Sequence, residues 1–153
     1  MTLPIVLVLC TGNSARSQMA EGLLRAKAGD RFEVRSAGTE PAARVNPLAI
    51  EVMREAGIDI GSARPKDLGE FLGRAPVRHL VIVCHDADGR CPSVWPGVLS
   101  RVHWPIEDPA AFHGDAAAAL AKFREVRDEL ALRLEQWLAE HGAREPQRTA
   151  PTA

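Results

Sequence analysis

The chain has 153 residues, of which 46% are hydrophobic and 25% charged, and its formal net charge at pH 7 is −1. That is enough apolar material to bury one core, and the charge balance excludes the basic footprint of a nucleic-acid or anionic-membrane binder. A small anionic substrate would have to be held by local donors, because no global field draws it in.

Pro4 to Leu9 (PIVLVL) is a short, continuous aliphatic run, as expected of a strand buried on both faces. It ends at Cys10. The segment has no Lys or Arg before Arg16 and carries a bulky Leu9 before Cys10, so it does not read as a secretory or lipoprotein leader. No run reaches the roughly 18 apolar residues of a membrane span, and a cytoplasmic protein is expected. Ser17 to Ala28 reads as a helix capped at Gly29, and Arg31 to Ser36 alternates like a strand. Asn46-Pro47 is a helix start, an N-cap followed by proline in the first turn, and that helix carries Leu48, Val52 and Met53 before closing at Gly57.

Arg78 to Cys84 (RHLVIVC) is a second fully buried strand, and it also ends at a cysteine. Arg101 to Trp104 is a short final strand. From Asp115 to about His141, Phe123, Val126, Leu130, Leu134 and Trp137 recur at spacings of three and four, the signature of an amphipathic helix. Residues 1–141 thus read as a single domain. The polar, proline-bearing stretch 142–153 is expected to be a disordered tail. Strands alternating with helices predict a three-layer, doubly wound α/β fold with a four-stranded parallel sheet flanked by helices. Ligands of such sheets bind beyond the carboxyl ends of the strands, where both Cys10 and Cys84 fall.

Between the first strand and its helix stands Cys10-Thr11-Gly12-Asn13-Ser14-Ala15-Arg16-Ser17. A short Gly-containing loop can turn successive backbone N–H groups inward as an anion nest, and the following helix adds its N-terminal dipole. Thr11, Gly12, Asn13, Ser14, Ala15 and Arg16 are therefore the oxyanion-binding candidates, with Arg16 offering a planar two-pronged donor. Cys10 lies beneath the anion as the nucleophile, the Ser17 hydroxyl can donate to its thiolate, and Asn13 suits a position with positive φ. The three cysteines of the chain, in a reducing compartment, are core thiols, metal ligands or redox groups rather than a disulfide framework. The seven-residue spacing of Cys84 and Cys91 is not that of a structural zinc site and no fourth ligand is evident, so His85 and His103 read as structural and no metal is expected.

The segment CTGNSARSQMAEG resembles the phosphate-binding loop of the low-molecular-weight phosphatase superfamily, in particular its thioredoxin-coupled arsenate reductase branch. The resemblance continues through SAGTE (36–40), GIDI (57–60), VCHDADGRCP (83–92) and HWPIEDPAAF (103–112). It implies that Asp108, in an Asp-Pro loop, protonates the leaving oxygen. It also implies that Cys10, Cys84 and Cys91 form a disulfide cascade regenerated by thioredoxin, which would make the chain an enzyme of arsenic detoxification with arsenate as substrate and phosphate or sulfate as competing oxyanions.

The alternative is a low-molecular-weight phosphatase acting on aryl or tyrosine phosphate, and a non-catalytic oxyanion sensor is a third possibility. The tyrosine phosphatases of the superfamily carry a second cysteine inside the loop and aromatics after the Asp-Pro. Here Ala15 and Ala110-Ala111 stand at those positions. Many thioredoxin-coupled relatives also bind potassium through side chains that match Asn13, Glu21 and Ser36, plus an aspartate. Lys66 stands where that aspartate would be, with Asp67 one residue on, so potassium is not expected to be required. The reading takes the protein as a monomer with no bound cofactor and thioredoxin as its electron donor.

Overall fold

The computed structural model describes residues 2–84, 95 and 97–141. Seven principal elements follow in order: β1 (Ile5–Cys10), α1 (Arg16–Ala28), β2 (Glu33–Gly38), α2 (Pro47–Glu55), β3 (Val77–Ile82), β4 (Ser100–His103) and α3 (Ala116–His141). The strands form one parallel sheet in the order β2-β1-β3-β4, flanked by helices. From β1 the chain goes first to β2 on one side, then crosses to β3 on the other. The carboxyl end of β1 is therefore the switch point of the sheet, where a crevice for ligand opens. All six residues of β1 are buried, which is why its sequence shows no polar alternation.

Beside the sheet, α1 packs on β1 and β2 and against α3, while α2 packs on α3. Phe123, Val126, Leu130, Leu134 and Trp137 are the buried residues of α3, the same five that its spacing singles out. Leu130 and Leu134 are fully enclosed, and truncating either to alanine is expected to remove about 2–5 kcal/mol of stability. The Asp115 side chain accepts from the Ala118 N–H (2.8 Å), and Asn46 likewise accepts from Leu48 (2.8 Å). At Gly57 the chain leaves α2 with φ +81°, a conformation that favours glycine.

The bounds of the last three strands differ from the sequence reading: β4 runs from Ser100 to His103 rather than from Arg101 to Trp104, and β2 and β3 shift further. The β2 strand starts at Glu33 rather than Arg31, because the Arg31 and Phe32 N–H groups are taken by the Ala28 carbonyl in the turn leaving α1. It then runs on to Gly38, which pairs with Cys10. The β3 strand stops at Ile82, where its pairing with β4 ends, so Cys84 lies two residues beyond it. At the outer edge of β2 the Val34 carbonyl accepts from Arg25 Nη2 (2.6 Å) and Arg35 Nη1 (3.2 Å). Residues 142–153, expected to be a tail, and Cys91 and His85 lie outside the described residues.

The junction of α2 and α3 is ionic. Glu55 accepts from Arg124 Nε (2.9 Å) and Nη2 (2.8 Å) and from Arg127 Nη1 (3.0 Å), and Arg127 also caps the Val52 carbonyl (2.8 Å). The hydrogen bond from Arg124, more than that from Arg127, lowers the Glu55 carboxyl to about 2 in the folded protein. A depressed carboxylate stabilises the fold above its unfolded value and loses that contribution as pH falls through the folded one. Glu55→Gln is accordingly expected to lower the urea midpoint at pH 7, with the two proteins converging as pH falls from about 4.5 toward 2. A deficit that persists unchanged at pH 2 would mean that packing, rather than charge, makes this junction.

Candidate active site

The loop from Cys10 to Ala15 leaves the end of β1 and enters α1. Each of its six carbonyls is bound from outside the loop's concave face. Cys10 O accepts from Thr39 N (3.3 Å), Thr11 O from Glu40 N (2.9 Å), Gly12 O from Ala42 N (2.9 Å) and Ser14 O from Asn46 N (2.9 Å). Asn13 O accepts from the Gln18 amide (3.1 Å), and Ala15 O from Met19 N in the first turn of α1 (2.9 Å). With the carbonyls held outward, the N–H groups converge on the interior, which is the nest geometry for an anion. Asn13 makes the turn possible at φ 50°, the one positive φ at a non-glycine among the described residues. No side chain caps α1 at Ala15, so its first N–H groups also remain available to a ligand.

The segment 39–46 can strap the loop this closely only because β2 ends in glycine. A Cβ on Gly38 would lie 2.4 Å from Thr11 O and 3.0 Å from Asn13 N. On its other side Gly38 donates to Lys66 O (2.8 Å).

Cys10 is a buried thiol. Its sulfur stands 2.9 Å from Ser17 Oγ and accepts from the Asn13 N–H at 3.2 Å. Asn13 Nδ2 donates to Ser17 Oγ (2.7 Å) and to Ser36 Oγ (2.9 Å), and the Ser36 hydroxyl donates in turn to Glu21. Because Ser17 accepts from Asn13, its own hydrogen is left for the sulfur, and the network is oriented to stabilise a thiolate.

Arg16 is almost wholly buried. Its Nη1 donates to the Ile106 carbonyl (3.0 Å), which fixes the plane of the guanidinium, and Nη2 lies 3.8 Å from Asp108 Oδ2. The other Asp108 oxygen accepts from Ala110 N (3.0 Å), starting the short turn Pro109–Ala111, so the carboxylate is half-fixed and half-exposed over the loop. Among the described residues, Cys10, Gly12, Ser14, Ala15, Arg16, Asp108 and Ala110 line a cavity of about 60 Å³. It is small and walled by alanines, with a nucleophile at one end, a fixed cation at the side and a carboxyl at the mouth.

Cys84 is also buried and not disulfide-bonded. It follows Val83, whose N–H donates to Leu9 O (2.8 Å), so the chain carries it to the same end of the sheet as Cys10. It is not among the residues lining the cavity. The His103 ring donates from Nε2 to the Cys84 carbonyl (2.8 Å), a structural role, as expected for that histidine.

Lys66 stands behind the loop. Its backbone N–H donates to Asn13 Oδ1 (2.8 Å), and its Nζ donates to Arg64 O (3.1 Å) and lies 3.9 Å from Glu21 Oε1. Burial, partly offset by Glu21, pushes the Lys66 ammonium below the usual lysine range. Asp67 turns elsewhere and caps the short turn Leu68–Glu70 through Gly69 N (2.8 Å). Sequence reasoning passed over Gln18 and Gly38. Residue type alone does not mark them, because the contacts that give them a role run to Asn13, Arg64 and Thr11.

The chain belongs to the low molecular weight phosphotyrosine protein phosphatase family, whose model matches residues 5–147. Over 135 residues it is 44% identical to the arsenate reductase of Bacillus subtilis, covering 87% of this chain and 94% of that one. It superposes with a TM-score of 0.69, at 32% identity, on a thioredoxin-dependent arsenate reductase of Corynebacterium glutamicum, covering 91% of this chain and 62% of that longer one. A low molecular weight protein tyrosine phosphatase from T. tengcongensis is also similar, with a TM-score of 0.73 at 25% identity, covering 90% of this chain and 99% of that one.

The strap yields one prediction. Gly38→Ala must push the loop or the strap aside, at an expected cost of about 1–3 kcal/mol, with weaker binding of inorganic phosphate. Urea denaturation and phosphate protection of Cys10 from alkylation measure the two effects. A wild-type midpoint together with wild-type phosphate affinity would show that the strap does not shape the nest.

Proposed function

We propose that this chain reduces arsenate to arsenite, with Cys10 as nucleophile, Cys84 and Cys91 as the electron-supplying thiols and thioredoxin as the final donor. The observation that carries the reading is the placement of the Cys10 thiol in an oxyanion nest whose cavity Arg16 and Asp108 also line, with a second buried thiol, Cys84, two residues beyond the end of the neighbouring strand. The relatives named arsenate reductase support the choice of substrate, and the thioredoxin-dependent structure supports the donor.

The nest and Arg16 bind the tetrahedral anion and neutralise charge on its equatorial oxygens. The Cys10 thiolate attacks arsenic, a sulfur–arsenic bond forms, and an arsenic–oxygen bond breaks as Asp108 gives its proton to the departing water. The Cys84 thiolate then attacks the Cys10 sulfur. A disulfide forms, the sulfur–arsenic bond breaks, and its electron pair stays on arsenic, which leaves as arsenite. Cys91 attacks Cys84 and releases Cys10 as thiolate, and thioredoxin reduces the Cys84–Cys91 disulfide by the same exchange. In sum, a dithiol is oxidised by two electrons and arsenic is reduced by two. This chemistry needs a reducing compartment. Among the described residues, no helix is long and apolar enough to cross a membrane.

The reading divides the cysteines by role. Cys10→Ser is expected to bring arsenate turnover with thioredoxin, thioredoxin reductase and NADPH to background, along with any hydrolysis of an aryl phosphate. Cys84→Ser and Cys91→Ser should lose the coupled turnover and keep whatever hydrolysis the wild type shows. Loss of hydrolysis in Cys84→Ser equal to that in Cys10→Ser would sink the division, and robust hydrolysis with no arsenate turnover would make the protein a phosphatase.

The donor set around Glu21 does not fit a potassium ion. Asn13 Oδ1 already accepts two hydrogen bonds, from Lys66 N and Gln18, and the Lys66 ammonium stands beside the Glu21 carboxylate. In our reading Lys66 supplies this charge from within the chain. Activity and melting temperature should then be equal in potassium and sodium at matched ionic strength, and Lys66→Asp should create a response to potassium. A potassium-specific stabilisation of the wild type would overturn the assignment.

A further inference from the structure

We infer that Gln18 is a positioning residue of the nucleophile loop: its amide donors fix both the backbone and the side-chain orientation of Asn13, and through Asn13 they direct the Ser17 hydrogen at Cys10. The inference rests on the reading of Cys10 as nucleophile and extends it to a residue that touches neither substrate nor sulfur.

Gln18 is 1% exposed, in the first turn of α1. Its Nε2 lies 2.9 Å from Arg64 O, 3.1 Å from Asn13 O and 3.1 Å from Asn13 Oδ1, so of its two hydrogens one serves Arg64 O and the other is shared between the two Asn13 oxygens. Backbone carbonyls only accept, so the Gln18 atom that faces two of them must be the amide nitrogen. Asn13 O is also the one loop carbonyl held by a side chain, whereas Cys10, Thr11, Gly12, Ser14 and Ala15 are each held by a backbone N–H. The residue with the left-handed φ therefore has its carbonyl pinned by Gln18.

The same logic sets the Asn13 side chain. The Lys66 backbone N–H, 2.8 Å away, can only donate, and so can the Gln18 amide nitrogen, so the Asn13 atom between them is Oδ1. Its Nδ2 then faces Ser17 and Ser36 and spends both hydrogens there. Were the amide reversed, its nitrogen would meet two donors. Its oxygen would compete with the Cys10 sulfur for the Ser17 hydrogen. Two groups hold the orientation against this reversal. Lys66 contributes a backbone N–H that every substitution except proline retains, which leaves Gln18 as the variable half of the lock. Gln18 also bridges the loop to the 64–66 segment, so loop, helix and segment are tied together through one side chain.

The test uses the full chain with Gln18→Met, which keeps length and removes the donors, and Gln18→Glu, which keeps shape and replaces donors by acceptors. Iodoacetamide labelling of the reduced protein at pH 7 is quantified at each cysteine separately by mass spectrometry, with and without inorganic phosphate. For both variants Cys10 labelling is expected to slow about three- to tenfold, the effect of one or two lost hydrogen bonds. Phosphate protection should require correspondingly more phosphate, while Cys84 labelling stays at the wild-type rate.

A merely structural role would lower the melting temperature and leave the Cys10-to-Cys84 labelling ratio and the phosphate protection unchanged, which would overturn the inference. Wild-type labelling and phosphate protection in Gln18→Met would do the same, since the methionine side chain has no donor at all. These readouts need no arsenate, so a protein that fails to reduce arsenate yet shows the Cys10-specific change would sink the proposed function and leave the role of Gln18 standing.

Discussion

The site depends on one constraint: six consecutive backbone carbonyls, Cys10 to Ala15, are all satisfied on the outside of the loop. A backbone group seldom stays unpaired when buried, and where carbonyls find partners on one side the N–H groups are left to face the other. The interior therefore becomes a concentration of donors without a single buried positive side chain except Arg16. Everything else follows from keeping this arrangement closed. Gly38 lets the strap approach, Asn13 accepts the strained turn, and the Asn13–Ser17–Ser36–Glu21 network ties the loop to helix and edge strand.

Such a site is indifferent to which tetrahedral centre it holds, and this explains how one architecture can serve both a phosphatase and a reductase. The grip on the oxygens is common to the two chemistries. The difference lies in what relieves the thio-intermediate: water from solvent, or a thiol carried by the protein. Two local features weigh toward the second outcome. The cavity mouth carries Ala110 where a phosphoaryl group would look for an aromatic wall. A buried thiol, Cys84, stands at the end of the strand beside β1.

Much of this was legible in the sequence because the signals are local. The aliphatic run into Cys10, the Cys-to-Arg spacing and the Asn46-Pro47 start each report their own structure, and the five apolar positions of α3 are the five that the fold buries. The expected positive φ at Asn13 is present. The boundaries of β2 and β3 were less legible, since strand limits are set by pairing partners distant in the chain. The share taken by Gln18 and Gly38 was hidden for the same reason. Their significance lies in contacts with residues 64 and 11, which no periodicity encodes. The geometry by which Cys91 would meet Cys84 falls outside the described residues.

The edge of β2 carries a different lesson. A bare strand edge is a template for adding another strand, and proteins block it with charged side chains or covering elements. Here the Val34 carbonyl is taken by two guanidinium groups, one from α1 and one from β2 itself. Both guards belong to the β1–α1–β2 unit, so this carbonyl can be covered as soon as that unit forms, before β3 and β4 are in place. A half-folded chain would then already have one edge acceptor blocked in the middle of the first half of β2. Cover of this edge is thus shared between the first forty residues, at Val34, and the 66–67 segment, which bridges Gly38 at the end nearer the site.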